Sequence, residues 1–246
     1  MAIRDRIKSY QLAVLRRVFN HEINMSHLYR EMHTRDFMKR SIGDNAILFW
    51  DYEDYLRKNV EIFTSYMTKN NIEENKSLYL EFGVFRGYCI NFISNILKNH
   101  QCFGFDSFEG FRSVKKSSYW SLYQPAFSGQ EPPKVNSNVK LIKGYVENTL
   151  PEFLSNNVQG IEVFFVHCDM DIYEPARVLL DWIATSDKKF FLMFDELINY
   201  NEFHLHEYRA FLETIIEMKV PFRVRTMCDR GKDEFGALGK VFIEIR

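Results

Sequence analysis

From Ser77 to the C-terminus, short apolar runs alternate with stretches of helical spacing, and two of the runs are apolar at consecutive positions. These are FFVHC at 164–168 and FFLMF at 190–194. A strand with one wet face alternates apolar and polar residues, so runs like these need cover on both faces, as in the middle of a parallel sheet wrapped by helices. Further strand candidates lie at 78–82, 102–106, 139–143, 222–226 and 240–245, with the two central ones at 163–168 and 190–194. Helical spacing fits 88–98, 150–154, 174–184 and 207–218. Strand, helix, strand in repetition predicts an α/β, Rossmann-like, doubly wound and mostly parallel sheet of seven strands. The last two strands follow each other without a helix, so one of them is expected to run antiparallel at that edge.

Residues 1–75 read differently, as an N-terminal helical extension or lid ahead of an α/β domain over 76–246. In 6–19, Ile7, Leu12, Val14, Leu15 and Val18 are set among Arg and Lys; in 46–69, apolar residues from Ile47 to Met67 recur every three or four positions. Gly43 and Asp44 mark the break between them, with Asp44 as an N-cap. The chain has 246 residues, 46% of them hydrophobic, which is enough to bury a sizeable core. Its 32 basic and 33 acidic residues leave a net charge of −1, so there is no electrostatic case for nucleic acid. The basic stretch RDRIKSYQLAVLRR reads as a solvated helix face. Cys89, Cys102, Cys168 and Cys228 form no CxxC pair and read as core residues of a protein in a reducing compartment. With no apolar leader and no run of 18 apolar residues, the expectation is a cytoplasmic protein without a membrane partner.

In an open α/β sheet, ligands lie outside the carboxyl ends of the strands. The first strand ends in Leu80-Glu81-Phe82-Gly83-Val84-Phe85-Arg86-Gly87, where Gly83 and Gly87 permit a tight turn and close ligand approach. Glu81 is a carboxylate near the end of an apolar strand and needs a partner, either a ligand ammonium or an internal network. Asp106 follows 25 positions later (106 − 81), at the end of the second strand, and suits a ribose diol. A glycine turn followed by such an acid is compatible with NAD and with S-adenosylmethionine alike. The strands at 163–168 and 190–194 end in Asp169 and in Asp195-Glu196, with Asp171 close by. Carboxylates this near one another repel, and a divalent cation such as Mg²⁺, Mn²⁺ or Ca²⁺ relieves that. His167 reads as a core histidine; His204 and His206 follow the strand at 190–194, where a base would serve. The unperiodic stretch 115–133 carries Tyr119, Trp120, Tyr123 and Phe127 and reads as a lid over the acceptor.

Taken together, LYLEFGVFRGYCINFI, FGFDSFEGF, NVKLIKGYVENTLPEFL, FFVHCDMDIYEPARVLL and FLMFDELINYNEFHLHEYRAF resemble the macrocin O-methyltransferase family, in order and over about 78–211. These are class I S-adenosylmethionine-dependent enzymes that methylate sugar hydroxyls of antibiotics and related glycosides. The resemblance implies that Glu81, Gly83, Val84 and Gly87 hold the methionine end and backbone of the cofactor. It places Asp106 on the ribose, Ser107 and Phe108 near the adenine, and Gly144, Tyr145 and Val146 on the far side of that pocket. It implies a divalent cation, Mg²⁺ by preference, on Asp169, Asp195 and Glu196. Asp169 would also contact the cofactor and take the acceptor's proton, with His206 or His204 as second choice. The family habit further implies a dimer or larger homo-oligomer. The chain departs at Asn201-Glu202-Phe203, where the family has Pro-Gly-Trp, in the loop facing the acceptor. Two rival readings remain open: a nicotinamide dehydrogenase, weakened by the lack of Gly-x-Gly-x-x-Gly, and a non-catalytic scaffold on a nucleotide fold.

Overall fold

The computed structural model describes residues 32, 35–37, 39–41, 43–112, 118–198, 200, 202–228 and 239–246. The helix expected over 6–19, part of the lid and Asn201 lie outside the described residues.

Eight strands form one sheet: β1 (Ile47–Phe49), β2 (Ser77–Phe82), β3 (Gln101–Asp106), β4 (Val139–Lys143), β5 (Val163–Cys168), β6 (Lys189–Phe194), β7 (Phe222–Cys228) and β8 (Lys240–Ile245). Their order across the sheet is β1-β7-β8-β6-β5-β2-β3-β4. All neighbours are parallel except the pairs that β8 makes with β6 and β7. The antiparallel strand is therefore inserted in the sheet, with β7 and β1 outside it, and does not form the edge as expected.

The eighth strand is β1, in residues whose apolar spacing reads as helix. Asp51 stops the helix from reaching back. Its side chain accepts the Asp54 N–H at 2.9 Å and caps α1 (Tyr52–Lys69). Asp44, the expected cap, instead accepts the Val224 N–H from β7 at 2.9 Å, which ties the start of β1 to its neighbour. α1 lays Tyr55, Leu56, Val60, Phe63 and Met67 on one face of the sheet. With α2 (Tyr88–Ile96) it covers Tyr79, Phe165, Phe191 and Phe242. The other face is covered by α4 (Val146–Asn157), α5 (Tyr173–Thr185) and α6 (Glu207–Phe211), over Leu80, Phe164, Val166 and Leu192. A single turn, α3 (Gln124–Phe127), lies between β3 and β4. α6 runs on into a π turn, Leu212–Ile216, where uniform helix is the expectation over 207–218. No helix among the described residues is long and apolar enough to cross a membrane.

β2 bonds to β3 on one side and to β5 on the other. The chain winds outward from β2 through β3 to β4 and then crosses back to β5. The crevice where the winding reverses is where such sheets take ligands.

Candidate active site

A cleft of about 440 Å³ opens at that reversal, beyond the carboxyl ends of β2 to β6. Gly83 forms its floor. A Cβ there would stand 1.7 Å from the Asp169 carbonyl oxygen, and φ is +92°, so β2 and β5 meet this closely only through glycine. The Gly83 N–H donates to Phe105 O at 2.9 Å, and the Asp169 N–H donates to Phe82 O at 2.8 Å. These bonds continue the strand ladders past their ends and hold Asp169 over the crevice.

Asp106 organises the next wall. Its Oδ2 accepts the Phe85 N–H at 2.8 Å and its Oδ1 the Phe108 N–H at 2.7 Å. Both residues have left-handed backbones, with φ of 47° and 55°, which side chains of this size adopt only when held. Each oxygen keeps a second lone pair for a ligand hydroxyl. Ser107 Oγ donates to Gly110 O at 3.0 Å and closes the turn after β3. Gln124 knits the following loop by accepting the Phe111 N–H at 2.9 Å and donating to Phe111 O at 3.3 Å. The aromatic wall includes Phe111 and Phe127, with ring centroids 5.3 Å apart, and Trp120 and Tyr123, 5.6 Å apart. Arg112 lies over the Tyr145 ring at 4.6 Å.

Of the residues expected to touch a cofactor, Gly83, Asp106, Ser107, Phe108, Gly144, Tyr145, Val146 and Asp169 line the cleft. Glu81, Val84 and Gly87 are not among its lining residues. Glu81 is buried in an internal network: it accepts from the Tyr79 hydroxyl and from the Ile90 N–H, and its Oε2 lies 3.3 Å from His167 Nδ1. Of the two partners open to Glu81 in the sequence, the structure supplies the internal one. Val84 packs in the core, and Gly87, with φ of +78°, starts α2. His204 and His206 do not line the cleft either. Trp120, which does, packs edge-on against His206 at 6.5 Å, and His206 Nε2 lies 3.8 Å from the Glu202 carboxylate. Burial lowers the pKa of both rings.

Six carboxylates line the cleft, from Asp106, Glu147, Asp169, Asp171, Glu174 and Glu196, against one guanidinium, Arg112, among the described residues. Burial, then Asp195, Asp171 and Glu196, pushes the Asp169 carboxyl well above the usual range. Burial, then Glu196 and Glu207, does the same for Asp171, which hydrogen-bonds to Glu196. Two carboxyl groups bonded to each other share a proton. Glu207 comes from α6, and its Oε1 accepts the Met170 and Asp171 N–H groups at 2.9 and 3.1 Å, fixing the loop that carries Asp169. Burial pushes the Glu207 carboxyl up to about 8. Nothing in the sequence marks Glu207, one of several acids at helix starts.

The expected metal set does not assemble as Asp169, Asp195 and Glu196. Asp169 and Asp195 converge with His167, one ligand atom from each within 4.8 Å of the others, while Glu196 pairs with Asp171. Both oxygens of Asp195 are already held. The Tyr52 hydroxyl donates to Oδ1 at 2.8 Å, and the Lys240 ammonium donates to Oδ2 at 2.5 Å. Burial would raise the Asp195 carboxyl, but Lys240, His167 and Tyr52 outweigh it and bring it to about 2. A divalent ion on Asp195 would meet that ammonium. At about 4 Å and an effective dielectric constant near 20, a double and a single positive charge repel by roughly 8 kcal/mol. The residues as arranged do not fit a divalent ion.

No protein-family model matches the chain, and no curated protein does. Among solved structures, the chain is similar to a precorrin-6y C5,15-methyltransferase from Geobacter metallireducens, at 12% identity over 69% of this chain and 78% of that one, with a TM-score of 0.37. It is also similar to the plantazolicin methyltransferase in complex with a triazolic desmethylPZN analog and SAH, at 12% identity over 79% and 84%, TM-score 0.40. A third is a SAM-dependent methyltransferase from Agrobacterium tumefaciens, at 11% identity over 79% and 60%, TM-score 0.37.

Proposed function

We propose that this chain is an S-adenosylmethionine-dependent O-methyltransferase acting on a hydroxyl of a sugar, a surface glycan or a glycosylated natural product. The acidity of the cleft carries the reading: six carboxyl groups, of which Asp171 and Glu196 share a proton, against one guanidinium among the described lining residues. S-adenosylmethionine brings a sulfonium and an ammonium, which such a cleft attracts. NAD brings a pyrophosphate with two negative charges, which it repels. The dehydrogenase reading loses its footing on that count. Asp106 supports the adenosyl half, since its oxygens keep lone pairs for a ribose diol at the end of the second strand of the winding. The aromatic rings of Phe111, Trp120, Tyr123 and Phe127 supply faces for the apolar side of a sugar or glycoside.

When bound, the sulfonium supplies an electrophilic methyl group and leaves as a neutral thioether. The protein's part is to position the acceptor hydroxyl and remove its proton. Asp169 is the base in this reading. Its backbone is fixed by Phe82 O, its loop by Glu207, and its raised pKa brings its basicity closer to neutral pH. The neutral oxygen attacks as its proton passes to Asp169, and the aspartic acid then releases that proton to solvent.

Asp169→Asn removes the base and keeps the shape. Transfer of labelled methyl groups to a panel of glycosides should fall at least about 100-fold, with affinity for S-adenosylhomocysteine changed only a few-fold. Undiminished transfer in this variant would remove Asp169 from the role, and transfer confined to simple phenols would remove the sugar acceptor.

A further inference from the structure

The register of the sheet delivers Lys240 to the acidic cluster. β8 runs antiparallel to β6 with Phe194 opposite Val241, so the next position along sets Asp195 beside Lys240. On its other side Lys240 is paired with Cys228 of β7. A lysine paired with β7 on one side and one position beyond the β6 ladder on the other is no swinging surface residue, and its side chain is only 12% exposed. Its ammonium reaches Asp195 Oδ2 at 2.5 Å and lies 4.6 Å from the centre of the Tyr52 ring, whose hydroxyl holds the other oxygen of Asp195. Asp195, Tyr52 and Lys240 thus close a triangle in which one cation meets one carboxylate and one ring face.

We infer that Lys240 is the built-in cation of this cluster and fills, with its own charge, the role a divalent ion would otherwise take between Asp169 and Asp195. The site's positive charge is then covalently attached and independent of metal in solution. Lys240 acts as a positioning residue: it fixes Asp195 and leaves Asp169 as the carboxylate facing the cleft. The inference concerns cation binding and holds whatever the cleft methylates.

The test is a titration of the purified full-length chain with Mn²⁺, read from the loss of the free-ion paramagnetic resonance signal, on the native protein, Lys240→Met and Lys240→Arg. Native protein and Lys240→Arg should show no Mn²⁺ site tighter than millimolar. Lys240→Met should gain one Mn²⁺ per chain, bound at least ten-fold more tightly, because the ammonium on Asp195 Oδ2 no longer opposes a cation among His167, Asp169 and Asp195. A micromolar Mn²⁺ site in the native protein or in Lys240→Arg overturns the inference, and so does a folded Lys240→Met that gains no binding. If Lys240→Met does not fold, the native and Lys240→Arg titrations decide the matter alone.

Discussion

Gly83 sets how near β5 comes to β2. A methyl group there meets a backbone oxygen at 1.7 Å, and backbone, unlike a flexible side chain, gives way only by moving the strand. Gly83→Ala should cost about 2–4 kcal/mol from overpacking and the left-handed backbone together, seen as a melting temperature lowered by roughly 5–15 °C. An unchanged melting temperature would contradict the close approach. Asp106→Ala removes two backbone bonds and the ribose acceptor at once, so affinity for S-adenosylhomocysteine should fall roughly 10–100-fold by calorimetry. Glu207 makes a pH-dependent prediction. Its carboxyl titrates near 8 in the fold and near 4.5 otherwise, so folding favours the protonated form. That contribution is full below pH 4.5 and is lost as pH rises through 8. Glu207→Gln mimics the neutral group, so its melting temperature should fall less than the native protein's between pH 6 and 9. Parallel pH curves for the two would show that Glu207 does not titrate there.

Elements were legible where burial dominates. FFVHC and FFLMF are strands β5 and β6 because they are apolar on both faces apart from His167, and their neighbours follow from the same logic. Three residues at 47–49 are too few to show a period, and their apolar spacing merges with that of α1; only the cap on Asp51 separates them. The π turn after α6 leaves no mark in the pattern. Side-chain reach is also invisible in sequence. Asp106 ends β3, and Asp169 and Asp195 directly follow β5 and β6, but the cation that holds Asp195 comes from β8, which enters from the far end of the chain. Lys240 reads as an ordinary polar strand start until register places it beside Asp195. The loop around α3 lines the cleft with aromatic rings, of which Trp120 is buried in the core and Phe111 and Phe127 pack against it. If it closes over the acceptor, proteolysis within 118–128 should slow when S-adenosylhomocysteine and a glycoside acceptor are both present; equal cleavage rates would contradict a lid.

On the scale of the whole molecule, one reversal of winding brings a glycine floor, a hydrogen-bonded Asp106 and six carboxylates to a single crevice. The chain's net charge of −1 conceals this, because six of its 33 acidic residues but one of its 32 basic residues, among those described, line the cleft. Local charge, and not the fold, separates a sulfonium from a pyrophosphate. The most direct test is a calorimetric titration of the native protein with S-adenosylmethionine, S-adenosylhomocysteine and NAD, each with and without chelator. The charge of the cleft predicts micromolar binding of S-adenosylmethionine, weaker or equal binding of S-adenosylhomocysteine, no binding of NAD, and no effect of chelator. Binding of NAD alone, or of none of the three, would contradict the methyltransferase reading.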